Sequence, residues 1–266
     1  MCGRYASTRG RQELIDFFGV DGDEAGELEP DFNVAPTKPV PVVLTRRNGS
    51  DAASGVGGEE RATRAASEEW TRPENVRELH VARWGLVPSW AKDVSIGARL
   101  INARVETAHE KPAFRRAFAS RRCLVPADGY YEWQAGDDGG KQPHFIHPAD
   151  GGVLAMAGLY EVWRSADVPG GRLLTCTVIT TEATDDVGRI HDRMPMLVEP
   201  DRFAAWLDPA LNHPDEVRSL LVPAAAGRLE SHPVSTAVNK VINNGPELVK
   251  PAPQMGIPSA APLTLF

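Results

Sequence analysis

Strand-like runs follow one another along this chain without a regular alternation with helices. They cover 40–45, 79–86, 101–107, 129–134, 143–147, 153–162 and 173–180, and helical patterns fall at 12–18, 110–119, 200–207 and 214–221. A doubly wound parallel sheet needs strands and helices in regular turn. The pattern therefore predicts an α+β domain built on a largely antiparallel sheet or an open barrel.

Two stretches lack such patterns. Residues 47–78 are polar and rich in Gly, Ala, Ser and charge, which predicts a long mobile insertion. The tail 252–266 is low in charge and rich in Pro and Ala, so we expect it to be ordered only if it docks on the domain.

Composition narrows the classes of partner. A net charge of -7 gives no global basic field for holding nucleic acid, so any polyanion site must be local. The three cysteines lie far apart without a CxxC pair, which favours a reducing cytoplasm over a disulfide framework or a cysteine-rich zinc site. No apolar run reaches the roughly 18 to 20 residues that span a bilayer, and the N-terminus lacks the apolar core of a secretory signal.

Cys2 is the most informative single residue. An initiator Met is readily removed before a small residue, so we expect the mature chain to begin at Cys2 with a free α-amine and thiol on one carbon skeleton. Such a 1,2-aminothiol can attack an acyl carbon with the amine as base, or condense with an aldehyde into a thiazolidine ring. Ordinary pKa values of about 8 for the amine and about 8.5 for the thiol leave both close to activation at neutral pH. Taken alone, a cysteine at this position is more often an accident of a frayed terminus.

Segment 101–107 alternates apolar and polar residues, as expected of a strand with one buried face. If it is extended, Asn102, Arg104 and Glu106 share a face and can line a polar groove, with Arg104 forked onto a phosphate. A solvated outer face of an antiparallel strand has the same pattern.

A carboxylate lies among aromatic residues at 129–133. In an extended chain Glu132 faces the same side as Tyr130 and the opposite side from Tyr131 and Trp133. Desolvation by such neighbours raises the pKa of a carboxyl towards the range useful for proton transfer. The alternative is an exposed Glu on an aromatic strand.

His191 lies in a dense polar cluster ahead of Pro195, a position typical of a loop or strand entry. In an extended chain His191 and Asp192 point to opposite sides, so Asp192 is not expected to orient the ring. The other histidines show no metal-ligand spacing, and no metal site is predicted.

Eight short motifs follow one another along the chain: MCGRY at 1–5, NVAP at 33–36, RWGLVPSW at 83–90, NARVET at 102–107, GYYEW at 129–133, IHDRMP at 190–195, HPVS at 232–235 and VN at 238–239. Taken together, these motifs resemble the SRAP family, the SOS-response-associated peptidase-like proteins that shield abasic sites in DNA. The resemblance runs over 2–251, which we take as one SRAP-like domain. It implies a single α+β domain with a mixed, largely antiparallel, β-barrel-like core flanked by helices. Each motif is weak alone, but their shared order is highly specific.

The resemblance implies a groove for single-stranded DNA or a single-strand to duplex junction, and a stable thiazolidine crosslink between an N-terminal cysteine and a ring-opened abasic site. Carried over by motif, Cys2 is the nucleophile, Asn102 holds the opened sugar, and Glu132 and His191 handle protons. No cofactor or metal is implied.

Five further residues are implied to contact DNA. Arg4 and Arg104 match phosphate contacts, Asn33 and Pro36 a loop that meets the strand, and Trp84 a stacking surface. We expect a monomer in the cytoplasm, associated with the nucleoid when bound to DNA.

Two other functions fit the same residues. One is an N-terminal-nucleophile amidohydrolase or peptidase, with the free amine as base for Cys2 and with Asn102 as an oxyanion donor. The other is a noncovalent single-strand binding module. A DNA strand with one abasic site separates the three functions, because only thiazolidine crosslinking leaves an adduct that resists denaturation.

Overall fold

Short strands dominate the chain in the computed structural model, which describes residues 2–47, 75–136 and 139–252. The strands are β1 Tyr5–Ser7, β2 Gly22–Asp23, β3 Asp31–Val34, β4 Pro39–Arg47, β5 Asn75–Trp84, β6 Asn102–Arg104, β7 Arg122–Ala127, β8 Gly129–Ala135, β9 Lys141–Pro148, β10 Leu154–Arg164, β11 Arg172–Glu182, β12 Arg193–Pro195 and β13 Leu229–Pro233. The α-helices are α1 Arg11–Phe18, α2 Arg115–Ser120, α3 Phe203–Leu207 and α4 Pro214–Ser219. Single 3-10 turns occupy Val94–Arg99, Pro169–Gly171, Asp185–Arg189, Pro200–Arg202, Thr236–Asn239 and Pro246–Val249.

Five strands close into a barrel. β5, β4, β7, β10 and β11 pair in that order, each antiparallel to the next. β11 then pairs in parallel with β5, with Thr175 opposite Arg83 and Cys176 opposite Trp84, and this contact completes the ring. The predicted α+β fold with a mixed, largely antiparallel barrel core is confirmed.

Strand β7 was not predicted, and its burial explains why. All six residues of RCLVPA are buried. Cys123 and Val125 face the barrel interior, whereas Leu124 packs in the separate apolar cluster that includes Phe118 of α2 and Trp206 of α3. A strand that is covered on both faces lacks the alternation of apolar and polar residues from which a strand is predicted.

A second sheet lies beside the barrel in the order β13, β9, β8, β1 and β3. Tyr5 of β1 lies opposite Tyr130 of β8 and also opposite Val34 of β3, so the N-terminus runs as an inner strand of this sheet. An inner strand is held on both sides by backbone hydrogen bonds. Residues just before β1 are therefore placed against the barrel and not at a loose end.

The helical patterns predicted at 12–18, 110–119, 200–207 and 214–221 coincide with α1 to α4, although α2 begins only at Arg115. Gly19 ends α1 in the left-handed region, at φ 59°, where a residue without Cβ is favoured. No helix in the described ranges is long and apolar enough to cross a membrane.

The predicted strand 101–107 is wrong in its extent. Only Asn102–Arg104 is extended, and the chain then turns, with the Ala108 N–H donating to the Arg104 carbonyl. Asn102 and Arg104 share a face as expected, with Ala103 buried between them. Glu106 does not join that face.

The insertion predicted at 47–78 falls largely on residues that the structure does not describe, and its two described margins are strands. Arg47 closes β4 opposite Asn75 of β5, so 75–78 belong to a strand. Residues 48–74, and 253–266 of the tail, lie outside the described residues.

Candidate active site

Cys2 lies three residues before the start of β1 and is fully buried, in the same apolar cluster as Tyr5 and Tyr130. Burial raises the pKa of the Cys2 thiol well above its ordinary range, and the nearby Glu132 carboxylate raises it further. At neutral pH the resting sulfur is therefore a protonated thiol. An attack by this sulfur requires a neighbouring group that accepts the proton.

The Asn102 side chain contacts the backbone of Cys2. Strand β6 pairs in parallel with β11, with Asn102 opposite Val178, and this register brings its side chain to the N-terminal segment. Its Nδ2 donates a hydrogen bond of 2.7 Å to the Cys2 carbonyl oxygen. Its Oδ1 is buried and has no hydrogen-bond partner among the described residues. The amide thus has an acceptor available for a bound molecule.

Glu132, on β8, is 2% exposed. Burial raises the pKa of Glu132 to about 7, which confirms the direction predicted from its aromatic neighbours. Tyr130 and Glu132 share a side of β8, because side chains two residues apart on a strand point the same way. Tyr131 points away and donates from its hydroxyl to the Phe32 carbonyl. A carboxyl with a pKa near neutrality populates both protonation states under cellular conditions.

His191 follows the 3-10 turn Asp185–Arg189 and faces Glu132, with 3.9 Å between Nε2 and Oε2. Its Nδ1 accepts a hydrogen bond of 3.0 Å from the Arg193 backbone N–H. This bond places the proton of the neutral ring on Nε2, on the side of Glu132. Burial lowers the pKa of His191, which favours that neutral form.

The expectation for Asp192 was wrong. Its Oδ1 lies 2.8 Å from His191 Nδ1, because the chain bends at this point instead of being extended. Nδ1 cannot make both contacts in the same protonation state, because it accepts from the Arg193 N–H only when unprotonated and donates to Asp192 only when protonated. The backbone N–H satisfies the neutral ring, and Asp192, with its side chain 87% exposed, pairs with the ring only when the ring is charged.

Arg193 supports the His191 turn and was not singled out from the sequence. Its guanidinium binds both oxygens of Glu106, at 2.7 and 3.1 Å, and the Thr180 carbonyl at 2.7 Å. These bonds tie β12 to β11 and to the turn after β6. The signal in the sequence was the position of Arg193, two residues after the histidine in the same motif.

The described site thus joins four residues from distant segments of the chain. A family profile described as SOS response associated peptidase (SRAP) matches residues 1–241. The chain belongs to the SRAP family.

Curated SRAP relatives are similar over nearly the whole chain. The abasic site processing protein YoaM of Bacillus subtilis (strain 168) is 39% identical over 250 residues, covering 94% of this chain and 97% of that protein. The abasic site processing protein HMCES of Gallus gallus is 32% identical over 283 residues, covering 98% of this chain and 76% of that protein.

A crystal structure of a protein from Bacteroides thetaiotaomicron has the same fold. It superposes with a TM-score of 0.74 at 24% identity, covering 94% of this chain and 100% of that one. At this identity the likeness supports the SRAP fold alone.

Among the predicted DNA contacts of this SRAP chain, Arg104 is exposed and Arg4 is half-buried. Arg4 Nη1 donates to Asn33 Oδ1 at 2.7 Å and to the Val238 carbonyl at 2.8 Å, and its guanidinium lies 6.0 Å from the centroid of the Trp133 ring. Arg4 therefore links Asn33 to the segment around Val238, besides any contact with a phosphate.

Asn33 and Trp84 require correction. Asn33 is fully buried and Trp84 is fully buried, so neither offers a surface to DNA. Trp84 instead packs edge-on against Tyr5 at 5.1 Å and donates from Nε1 to the Ile101 carbonyl. Trp90, in the same RWGLVPSW motif, is 57% exposed and has the accessible ring that was expected of Trp84 as a stacking surface.

Pro36 is half-buried in the turn between β3 and β4. The next residue, Thr37, has φ 74°, a strained conformation for a β-branched residue. Its N–H donates to the Trp84 carbonyl at 2.8 Å, which holds the turn against the barrel. Strain of this kind is retained where the surrounding structure fixes a loop in one shape.

Proposed function

We propose that this chain captures ring-opened abasic sites in single-stranded DNA by forming a thiazolidine with Cys2. The names of the curated relatives, abasic site processing proteins, support the substrate class. The observation that carries the proposal is the convergence of Cys2, Asn102, Glu132 and His191 from four separate segments.

The proposed reaction balances without an added reagent. The free α-amine of Cys2 adds to the aldehyde carbon of the opened sugar and gives a carbinolamine, which loses one water to form an imine. The thiol sulfur then adds to the imine carbon, and its proton ends on the nitrogen. One aldehyde and one aminothiol give one five-membered ring and one water, so the chemistry requires no cofactor or oxidant.

Glu132 serves the Cys2 side of this reaction. The thiol is protonated at rest because its pKa is raised, and ring closure needs that proton removed. Glu132 lies close enough to Cys2 to act on it electrostatically, and its pKa near 7 allows the carboxylate to accept a proton at neutral pH.

His191 serves the sugar side. Its neutral form carries the proton on Nε2, next to the Glu132 carboxyl. The Nε2–H of the neutral ring donates a hydrogen bond to a sugar oxygen. When the ring is charged, with Asp192 paired to Nδ1, Nε2 transfers its proton to that oxygen and the ring becomes neutral, which assists ring opening and the loss of water. The neutral ring takes a proton back in the reverse reaction. Asn102, whose Oδ1 is available, accepts a hydrogen bond from a hydroxyl of the opened sugar.

The amidohydrolase alternative is less well supported. It needs the Asn102 amide as a donor to a substrate oxyanion, whereas Nδ2 donates here to the carbonyl of Cys2 itself. We place the proposed reaction in the cytoplasm, with a monomer acting on single-stranded DNA or on a junction.

The decisive experiment incubates the protein with a single strand that carries one abasic site, followed by a denaturing gel. Cys2→Ala is expected to abolish the heat-stable adduct. Cys176→Ala is the matched control, since Cys176 is an equally buried thiol without an adjacent amine. An adduct of equal stability from Cys2→Ala contradicts the proposal, as does retention of Met1, measured by intact mass, in an active preparation.

A further inference from the structure

The loop after the 3-10 turn Thr236–Asn239 displays two apolar side chains in solvent. Val241 is 45% exposed and Ile242 is 89% exposed, the highest value among the large apolar side chains of the described residues. An isolated surface Val or Ile is common in soluble proteins. Two in succession at the tip of a loop are informative only if the loop is prevented from folding back to bury them.

A buried amide holds this loop from below. Asn33 Nδ2 donates to the carbonyls of Val238, Lys240 and Asn243, at 3.2, 3.1 and 2.9 Å. The Asn243 side chain in turn donates to the Ala237 carbonyl at 2.8 Å. Polar ties at both ends of the tip fix its backbone, so the exposed side chains are presented in a set shape.

A second set of bonds anchors the far end of the loop. The Phe32 N–H donates to Asn244 Oδ1 at 2.8 Å, and Asn244 Nδ2 donates to the Pro30 carbonyl at 3.3 Å. The loop is therefore joined to the segment that leads into β3 on both of its flanks. Residues 30–33 act as its base.

The same loop borders the candidate active site. Arg4, two residues after Cys2, donates to the Val238 carbonyl. Trp133, which follows Glu132, donates from Nε1 to Asn239 Oδ1 at 2.8 Å. Arg4 and Trp133, each close in sequence to a proposed reacting residue, therefore contact the start of the loop directly.

We propose that the Val241–Ile242 tip inserts against the nucleobase that flanks the abasic nucleotide. The inference rests on the proposed function and adds a binding element to it. A missing base leaves the faces of its neighbours uncovered, and apolar side chains inserted at base steps are a known means of covering such faces. Lys240, exposed beside the tip, and Arg4 at its root supply positive charge for the adjoining phosphates.

The test uses a strand containing a tetrahydrofuran abasic analogue, which lacks the aldehyde and cannot react with Cys2. Affinity is measured by fluorescence anisotropy for this strand and for the same strand with an intact base. Ile242→Ser is expected to weaken binding to the analogue strand about tenfold, as for a lost apolar contact of this size, with a smaller effect on the intact strand. Ile242→Leu is expected to restore the affinity.

Val222→Ser provides the matched control, because Val222 is 46% exposed in the segment between α4 and β13. It is expected to bind both strands like the wild type. A base analogue such as 2-aminopurine next to the tetrahydrofuran reports insertion directly, and its change in fluorescence on binding should be lost in Ile242→Ser.

Equal affinity of Ile242→Ser and wild type for the analogue strand overturns the inference. So does an equal loss on both strands, or a wild-type dimer in sedimentation that Ile242→Ser dissociates, since the tip would then be covered by a second copy. Failure of the wild type to crosslink natural abasic DNA overturns the proposed function instead, and the analogue experiment still decides the role of the loop.

Discussion

Asn102 and Cys2, one hundred positions apart, are joined by a hydrogen bond of 2.7 Å from the side-chain amide of the first to the backbone carbonyl of the second. The bond fixes the segment that carries the proposed nucleophile against β6. A residue at the second position of a chain is ordinarily mobile, so this contact converts a terminus into a positioned group.

Asn102→Ala removes that bond and the Oδ1 acceptor together. We expect adduct formation to slow by about ten- to a hundredfold, because positioning is lost along with one contact to the sugar. The loss of stability should be only about 1 kcal/mol, typical of one hydrogen bond. The adduct time course and thermal unfolding measure the two effects separately. An unchanged rate would mean that Cys2 is positioned without Asn102.

Glu132→Gln should make the free energy of unfolding less sensitive to pH. The folded-state pKa of Glu132, about 7, lies above its ordinary value of 4.5. The folded state therefore binds more protons than the unfolded state between these values, and stability falls as pH rises through that window. Relative to wild type, Glu132→Gln should gain up to about 3 kcal/mol between pH 4 and pH 8.

Denaturant unfolding at several pH values measures this difference. The same variant should form the adduct about ten- to a thousandfold more slowly at neutral pH, since an amide does not accept the thiol proton. Parallel stability curves for the two proteins would refute a raised pKa at Glu132.

His191→Ala should slow both formation and release of the adduct, because the ring donates and recovers a proton on the sugar side in both directions. An adduct formed by this variant should therefore outlast the wild-type adduct. A time course of formation, followed by a chase with unlabelled abasic DNA, measures both rates. Release as fast as in wild type would argue against the role of His191 and leave that of Cys2 intact.

Arg104→Ala should weaken binding to single strands regardless of base sequence and flatten the salt dependence by a slope of roughly 0.7, the share of one phosphate contact. Arg115→Ala is a suitable control, since Arg115 is an exposed arginine on α2. Affinity at several salt concentrations gives the slopes. Identical slopes for Arg104→Ala and wild type would place Arg104 away from the DNA.

Arg4→Ala should show the same loss of affinity and should also remove the hydrogen bond that Arg4 donates to Asn33.

Arg122→Ala should destabilise the fold without a direct effect on the site. The Arg122 side chain is buried and donates to the carbonyls of Trp206, Phe118, Ala119, Asp208 and Leu211. Its removal leaves several buried acceptors unpaired, at about 1–3 kcal/mol each, so we expect a loss of about 3 kcal/mol or more. Chemical denaturation measures it, and an unchanged midpoint would show that water replaces the guanidinium.

The strands predicted at 40–45, 79–86, 129–134, 143–147, 153–162 and 173–180 overlap β4, β5, β8, β9, β10 and β11, whereas only three residues of 101–107 are extended. β7 was missed because its two faces enter two different apolar clusters. The shared side of Tyr130 and Glu132 follows from the period of a strand, and so did the raised pKa of Glu132. The contact between His191 and Asp192 could not be predicted, because it depends on a backbone bend at Asp192 that the motif does not indicate.

The predicted DNA contacts show a similar division. Motifs identified which segments meet near Cys2, but not which side chains of a motif face outwards. Trp84 and Trp90 are six positions apart in one motif, and only the fold shows that the first completes the barrel core and the second is exposed. Asn33 likewise proved to be the support of a loop and not a surface group.

The β4–β5 hairpin pairs without a break from Pro39 opposite Arg83 to Arg47 opposite Asn75. Trp84, which follows Arg83, donates to the residue before Asn102, so the first end of the hairpin is the end near the site. The second end lies about 26 Å further along the strands at 3.3 Å per residue. Since Arg47 and Asn75 are already neighbours, a two-residue turn, a fluorophore tag or a whole fused domain can replace 48–74 there. The hairpin thus offers an attachment point for immobilising the protein with the end near the candidate site free.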